Sequence, residues 1–176
     1  YECTALESVT IPDSITSIGK EAFQYSGLTS VTVPGSVTNI ADSTFYGCDN
    51  LASVEIKYGV ENVGDYAFYL CKNLAAITLP DSVTGIGSGV FDGTAYCKDE
   101  NNYDNGVLYI GNHLVKADTS ISGVCTVRSG TKIICNYAFA HCDSLTNINL
   151  PDSLTVIGSY SFQSSGLTDI TIPQSV

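Results

Sequence analysis

The sequence predicts an α/β repeat solenoid, in which short units each add a strand and a helical turn to one shared core. Two observations support this prediction. All six phenylalanines recur at one position of a 22- or 23-residue repeat, and wherever a proline precedes a phenylalanine in this pattern the two are eleven residues apart. The phenylalanines are Phe23, Phe45, Phe68, Phe91, Phe139 and Phe162, and the prolines are Pro12, Pro34, Pro80, Pro151 and Pro173. So small a unit cannot bury its apolar face alone, and neighbouring units must stack to form the core.

The first half of a representative repeat predicts a short strand. Leu74, Ile77 and Leu79 mix a three-residue step with a two-residue step, which is typical of a strand that leaves a turn and faces a core. Pro80 follows directly and ends the strand, because proline has no N–H to donate to a ladder.

The second half of the repeat predicts a turn and a return to the core. Asp81 and Ser82 supply turn chemistry, since their side chains can bond to the local backbone. Val83 and Ile86 then bring apolar groups back to the interior. We expect Gly87 to relax the backbone ahead of a helical turn that carries the next phenylalanine.

The repeats predict a single domain over residues 1–176 with about seven units. The composition is even along the chain, and the length is sufficient for one sizeable core. The first repeat, near Cys3, and the last repeat, which stops at Val176, are both incomplete, so we expect the chain to be part of a longer protein. The 48-residue gap between the fourth and fifth phenylalanines contains one further repeat and an insertion at roughly 96–120.

The insertion predicts a β-hairpin. Val107–Ile110 and His113–Val115 are apolar runs separated by Gly111 and Asn112, a two-residue turn typical of hairpins. The hairpin either covers the core where the repeat is interrupted or forms a binding element, since long insertions are often functional. The oxygen-rich run Asp99–Asn105 could hold Ca²⁺, although it lacks the spaced Asp-x-Asp-x-Asp-Gly loop.

The net charge of −11 argues against nucleic acid and bare membrane surfaces as partners, because both are anionic. No apolar run approaches the ~18 residues of a membrane-spanning helix, so we expect no direct membrane insertion. The first residues do not form a signal peptide within this segment.

The seven cysteines predict structural thiols. Three residues after each phenylalanine stands a small polar residue, and Cys3 fits the same slot of the first unit; the slot holds Ser26, Cys48, Cys71, Thr94, Cys142 and Ser165. This exchange favours free buried thiols, although the spacing of adjacent strands also permits a Cys48–Cys71 disulfide. Cys125 and Cys135 also occupy repeat positions, whereas Cys97 in the insertion has no repeat role.

Neither a metal site nor a catalytic site is expected. The chain has no Cys-x-x-Cys pair, and His113 and His141 stand apart in the sequence. His141, Cys142 and Asp143 are consecutive, yet Cys142 belongs to the interior slot, and a nucleophile needs a base and an orienting group around it in space. No glycine-rich phosphate loop is present. We therefore predict no enzyme activity and no cofactor.

Two rows of short residues are expected to point outward from the strands, and either they support the sheet through cross-strand contacts or they form a flat platform for a ligand. One row is Thr10, Thr32, Glu55, Thr78, Thr126, Asn149 and Thr171. The other is Ser8, Ser30, Ser53, Ala76, Val124, Asn147 and Asp169.

Tyrosines are the stronger candidates for contact with a partner, because they are common at the energetic centres of interfaces. Several flank the phenylalanines, where they either pack over the turn or bind a partner. The candidate partner-binding residues are Tyr46, Tyr66 and Tyr69 beside the turns, and Tyr103, Tyr109 and His113 in the insertion.

The repeat pattern Leu-x-x-Ile-x-Ile-Pro-x-Ser-Val-x-x-Ile-Gly-x-x-Ala-Phe-x-x-Cys resembles that of the BspA-like leucine-rich-repeat family of microbial surface proteins, including the Treponema pallidum type. The resemblance covers nearly the whole chain. It implies a right-handed superhelix with a parallel β-sheet on one side and short helical turns on another. Because Pro-x-Ser replaces the Asn or Cys of commoner leucine-rich repeats, their curvature cannot be transferred to this chain.

The resemblance also implies a function. It suggests a non-catalytic adhesion module, extracellular or on a cell surface, that binds a host or matrix protein. The alternative is a structural spacer that displays other domains of a larger protein. The residues alone do not distinguish these two roles.

Overall fold

The computed structural model describes residues 2–176 and divides the chain into two compact units, Tyr1–Glu100 and Asn101–Val176. Each unit is a β-solenoid built from parallel ladders, which confirms the predicted repeat architecture at this level. Helix is scarce: residues 2–176 contain one short α-helix, α1 (Ala95–Lys98), and one 3-10 helix, Glu100–Asn102. The number of repeats and the handedness of the superhelix stay predictions.

The first unit contains two parallel three-stranded ladders. The first ladder consists of β1 (Ser30–Val33), β3 (Ser53–Ile56) and β5 (Ala76–Thr78), and the second of β2 (Asn39–Ile40), β4 (Asn62–Val63) and β6 (Gly85–Ile86). In β1 the side chains of Val31 and Val33 are buried and that of Thr32 is exposed. The alternation places the apolar residues of the first ladder in the core, as the strand prediction required.

The second ladder follows the Pro-x-Ser turn and was not predicted as a strand. Ser82 holds this turn to the preceding coil, because its hydroxyl donates to the Val60 carbonyl at 2.8 Å and accepts from the Gly59 N–H at 3.0 Å. Val83 and Ile86 are buried, as expected from their apolar character. Two paired residues per coil were too few to show a strand periodicity.

The predicted helical turns are wrong, because the phenylalanine segments are runs of β-turns. Around Phe68, Tyr66 and Leu70 both have φ of +57°, a left-handed conformation that an α-helix excludes. The same two positions have positive φ around every phenylalanine. The Tyr66, Phe68 and Leu70 N–H groups instead donate to the next coil, at 2.9, 3.0 and 2.9 Å. The turns thus form a further ladder between coils.

The phenylalanines form columns in the core. In the first unit the ring centroids of successive phenylalanines are 5.3, 5.1 and 5.8 Å apart and their planes differ by no more than 7°. In the second unit Phe139 and Phe162 stack at 5.5 Å. Phe45 and Phe68 are fully buried. The spacing follows from the coil-to-coil distance, since equivalent rings must repeat at the separation of the strands.

Gly87 provides space for a side chain of the preceding coil. The Asp65 carboxylate accepts a hydrogen bond from the Ser88 N–H at 2.7 Å, and a Cβ on Gly87 would lie 2.5 Å from Asp65 Oδ1. In the second unit Asn136 and Gly158 repeat this arrangement. Gly87 is therefore required for close packing between coils, which corrects the expectation that it relaxes the backbone.

The second unit contains two repeat ladders, one of which is extended by the insertion. Ladder strand β10 (Gly123–Thr126) pairs in parallel with β12 (Leu145–Asn149). The other sheet has the order β13–β11–β9–β8–β7. Its strands are β7 (Tyr103–Asp104), β8 (Val107–Ile110), β9 (His113–Ala117), β11 (Ile133–Ile134) and β13 (Val156–Ile157). The predicted hairpin is confirmed, because β8 and β9 are antiparallel and Ile110 pairs with His113 across the Gly111–Asn112 turn.

Replacement of Gly87 by alanine should lower the free energy of unfolding by about 1–3 kcal/mol, because the new methyl group collides with Asp65. The matched control is Gly19→Ala at the same repeat position, where no atom lies within 4 Å of the added Cβ. We expect that variant to unfold as the wild type does. Urea denaturation measures both, and equal losses of stability would contradict the packing argument.

Candidate functional site

Four tyrosines of the first unit form one aromatic surface, called here the tyrosine face: Tyr25, Tyr46, Tyr66 and Tyr69. Tyr25 and Tyr46 meet edge to face at 5.5 Å, and Tyr46 and Tyr69 stack at 5.3 Å. Tyr66 meets Tyr69 edge to face at 5.5 Å. The structure thus brings together the three tyrosines predicted beside the turns and adds a fourth.

Glycines of the following coils form the floor of the tyrosine face. A Cβ on Gly47 would lie 2.4 Å from the Tyr25 ring, and one on Gly89 would lie 2.8 Å from the Tyr66 ring. Both glycines have positive φ. Tyr25 was missed in the sequence analysis, and the available signal was the glycine 22 residues later at the same repeat position.

The face combines fixed geometry with accessible area. Tyr25 and Tyr66 are 40% and 45% exposed, while Tyr46 and Tyr69 are half-buried. Burial of the phenol, followed by the influence of Tyr25, raises the pKa of Tyr46 above its usual value, so the hydroxyl stays protonated at neutral pH. The rings therefore both pack on each other and offer exposed aromatic area to a partner.

The outward rows of the strands make contacts with each other. Thr32 Oγ1 donates to Glu55 Oε2 at 3.4 Å in the first unit, and Asn149 Nδ2 donates to Thr126 Oγ1 at 3.0 Å in the second. Glu55 also pairs with Lys57 at 2.6 Å. The first two contacts are the cross-strand support expected of such rows.

The insertion buries two of its three candidate residues. Tyr109 is 7% exposed and His113 is 1% exposed, and the His113 ring nitrogen Nδ1 lies 3.1 Å from the Ile110 carbonyl oxygen. Tyr103 is half-buried and pairs with Leu108 in the sheet. Tyr109 and His113 therefore cannot contact a partner in this conformation, and we exclude them from the candidate surface. They are buried because β9 joins the repeat ladder and the hairpin packs on the core.

Arg128 holds the hairpin in place. It occupies the repeat position of the prolines, and its guanidinium lies 4.3 Å from the centre of the Tyr109 ring. The same guanidinium donates to the Gly111 carbonyl in the hairpin turn. The Arg128 N–H donates to the Tyr109 hydroxyl at 3.2 Å. A proline at this position would supply neither the N–H nor the cation.

Among residues 2–176 no cysteine forms a disulfide, and the interior slot is confirmed for Cys48, Cys71 and Cys142, which are fully buried. Cys48 Sγ and Cys71 Sγ donate to phenylalanine carbonyls at 3.0 and 3.1 Å. Cys3 occupies the same slot of the first repeat, since the Leu6 N–H donates to its carbonyl at 2.9 Å as the Leu51 N–H does to that of Cys48, but Cys3 is exposed instead of buried.

The consecutive residues His141, Cys142 and Asp143 do not form a catalytic set. His141 and Asp143 are exposed, whereas Cys142 is fully buried and its sulfur points to the Asp118 carbonyl at 3.7 Å. Burial, and then the charges of Asp118 and Asp143, raise the pKa of Cys142. This thiol is therefore a poor nucleophile.

An open pocket of about 370 Å³ lies in the second unit. Polar atoms of Asn147, Asn149, Asp152 and Asp169 line it together with apolar groups. The lining residues include no histidine, cysteine or lysine. In the part of the chain that the structure describes, no three His, Cys, Asp or Glu residues are close enough to share a metal ion. Within residues 2–176 no helix has the length and apolar character that a bilayer crossing requires.

Comparison with protein families gives a match over the whole chain. The family model described as a BspA type leucine rich repeat region matches residues 1–122 and 109–176, in six copies. The matched model describes a repeat region, and it indicates no enzymatic family. No curated protein matches the chain.

Solved structures of bacterial leucine-rich repeat proteins are similar to this chain. A leucine rich cell surface protein from Faecalibacterium prausnitzii A2-165 is 31% identical with a TM-score of 0.47, over 92% of this chain and 38% of that protein. A leucine-rich repeat protein from Bacteroides ovatus ATCC 8483 is 28% identical with a TM-score of 0.48, over 93% of this chain and 42% of that protein. The T. pallidum leucine rich repeat protein is 22% identical with a TM-score of 0.42, over 77% of this chain and 76% of that protein. The chain spans less than half the length of the first two.

Replacement of Arg128 by alanine should release the hairpin, because Tyr109 and the Gly111 carbonyl lose their shared partner. We expect amide hydrogen exchange over residues 107–115 to accelerate about five-fold or more. Arg128→Lys retains the charge without the planar fork and should give an intermediate rate. Lys57→Ala, at the same repeat position of the first unit, is the control, and unchanged exchange in Arg128→Ala would contradict the proposed contact.

The stability of the protein should fall as the pH rises above the ordinary thiol range. Burial raises the pKa of Cys135 from 9.0 to about 12. The folded state therefore holds this proton more tightly than the unfolded state, so the associated stability is complete below pH 9 and is lost as the pH rises towards 12. Urea denaturation at about pH 8 and about pH 10.5 should show a smaller decline for Cys135→Ala than for the wild type. Cys3→Ala, which removes an exposed thiol, should retain the full decline, and identical pH dependence in all three proteins would refute the assignment.

Proposed function

Because the chain belongs to the BspA-type leucine-rich repeat family, we propose that it is a non-catalytic protein-binding module whose contact surface is the tyrosine face. The observation that carries this proposal is the contact of four tyrosines along successive coils, two of them with large exposed areas. The proposal includes a location outside the cell or on its surface, and adhesion to a host or matrix protein, as the family resemblance implies.

The tyrosine face has the physical properties of an interface centre. Tyrosine offers a large amphipathic area and loses little rotamer entropy on binding. Here much of that entropy is already spent, since each ring is held by another ring or by the glycine floor. A partner would therefore meet a preorganised aromatic surface, which reduces the cost of association.

The outward strand rows favour the second candidate function, a spacer that displays other domains. Their side chains are short, and in the first unit Glu55 already bonds both to Thr32 of the same row and to Lys57 next to the strand. Side chains that already bond to one another gain few new hydrogen bonds from a partner. The tyrosine face distinguishes the two functions, because a spacer has no need of exposed aromatic groups.

We expect Tyr66→Asn to weaken binding of the 176-residue chain to its protein partner about ten-fold or more. The partner is sought among purified host surface and matrix proteins by biolayer interferometry. Asparagine is chosen because it tolerates the positive φ of residue 66. Tyr160→Asn is the matched control: it stands at the same repeat position of the second unit, is more exposed and has the same φ of +57°.

Circular dichroism and thermal unfolding establish that both variants are folded. Equal affinity of Tyr66→Asn and wild type would remove the tyrosine face from the binding site. If no protein binds through this face, the spacer function is the better account.

A further inference from the structure

The acidic residues are concentrated in the unit that carries the tyrosine face. Residues 1–100 contain 13 of the 18 Asp and Glu residues but only four of the seven Lys and Arg residues, which leaves a net charge of −9. Residues 101–176 contain the other five acidic and three basic residues, a net charge of −2. The first unit is therefore a source of strong negative potential.

Ion pairs already occupy most of the lysines in the first unit. Lys20 Nζ lies 2.6 Å from Asp42 Oδ2, and Lys72 Nζ lies 2.8 Å from Asp49 Oδ2. Lys57 pairs with Glu55. The remaining carboxylates of this unit far outnumber its one other lysine, Lys98.

The repeat places several of these carboxylates beside the tyrosine face. Glu21 stands in the same row as Tyr66, two residues before its phenylalanine, and Asp92 continues the row of Tyr46 and Tyr69. Asp92 Oδ2 and the Tyr66 ring both border Gly89, at 3.7 and 2.8 Å from the position of a Cβ there. Asp65 directly precedes Tyr66 and is exposed. Asp65 and Asp92 thus lie beside the Tyr66 end of the face, and Glu21 occupies the repeat position of Tyr66 two coils earlier.

We propose that the tyrosine face binds a cationic segment of a protein, rich in arginine or lysine. The rings accept the cations over their faces, and the flanking carboxylates pair with them at the rim. The net charge of the first unit accelerates the encounter with such a segment. This inference rests on the proposed function and adds the chemistry of the partner.

The second unit contains both an example of this contact and a natural control. Arg128 lies over the Tyr109 ring at 4.3 Å, so a guanidinium on a tyrosine is already used within this chain. Tyr137 and Tyr160 stack at 5.2 Å and are well exposed. At the repeat positions of Asp65 and Asp92, the repeat of Tyr137 has the neutral residues Asn136 and Ala140. Tyr137 and Tyr160 are therefore the control for the tyrosine face, because they are exposed aromatic residues in a unit with little net negative charge.

The test uses the 176-residue chain and fluorescein-labelled synthetic peptides in which arginine, lysine, serine or glutamate alternates with glycine. Fluorescence anisotropy at low and high salt gives the affinities. We expect the arginine peptide to bind most tightly and to weaken as salt rises. Tyr66→Asn and Asp92→Asn should each weaken it about five-fold or more, whereas Tyr160→Asn should not.

Three outcomes would overturn the inference: no binding of the arginine peptide, equal binding of the serine peptide, or equal binding to Tyr66→Asn and wild type. The last would indicate diffuse attraction between opposite charges. A protein partner whose affinity depends on Tyr66 but not on Asp92 or on salt would retain the proposed function and reject a cationic partner. If Tyr66→Asn changes the affinity for neither the arginine peptide nor a protein partner, both the proposed function of the tyrosine face and its cationic partner are rejected.

Discussion

The structure depends on backbone hydrogen bonds that join each coil to the next, both in the strand ladders and through the phenylalanine turns. Around Phe68 alternate N–H groups donate to the following coil. This bonding imposes left-handed φ on Tyr66 and Leu70, at a cost of about 1 kcal/mol or more for each non-glycine residue. The hydrogen bonds that the turn makes to the next coil offset this cost. In an ordinary loop the same N–H groups would be left to solvent. Equivalent atoms must then repeat at the coil spacing, and the phenylalanine rings stack as a result.

Close coil spacing makes the residue at one position depend on its neighbour a repeat away. Asp65 fills the place where a Cβ of Gly87 would lie, and Tyr25 covers Gly47 in the same way. The Ser88 N–H donates a hydrogen bond to the Asp65 carboxylate. A sequence motif such as Ile-Gly therefore reflects a contact between two coils and cannot be explained within one repeat.

This dependence explains which features could be predicted from the sequence. The strand before Pro80, the stacking of the phenylalanine-bearing repeats and the hairpin at Gly111 follow from local residue type and period, and all three were predicted. The turns were mistaken for helical turns, because positive φ at residues such as Tyr66 is imposed by the next coil. Tyr109 and His113 were placed at the surface because their burial depends on how the hairpin docks, which Arg128 determines from outside the hairpin.

The same constraint favours the turns over the insertion as the place for a binding site. The residues of the insertion that break the repeat are largely used for their own packing, since the hairpin extends a ladder and is held by Arg128. Tyr66, two residues before its phenylalanine, and Tyr69, one residue after it, in contrast have their backbone fixed by hydrogen bonds of the turn, while their side chains are exposed and half-buried, respectively. Tyr46 and Tyr69 occupy one such row, in which Asp92 follows them. A change of side chain there alters aromatic area or charge without disturbing the coil contacts, so regular repeats can acquire a specific surface at little cost to the fold.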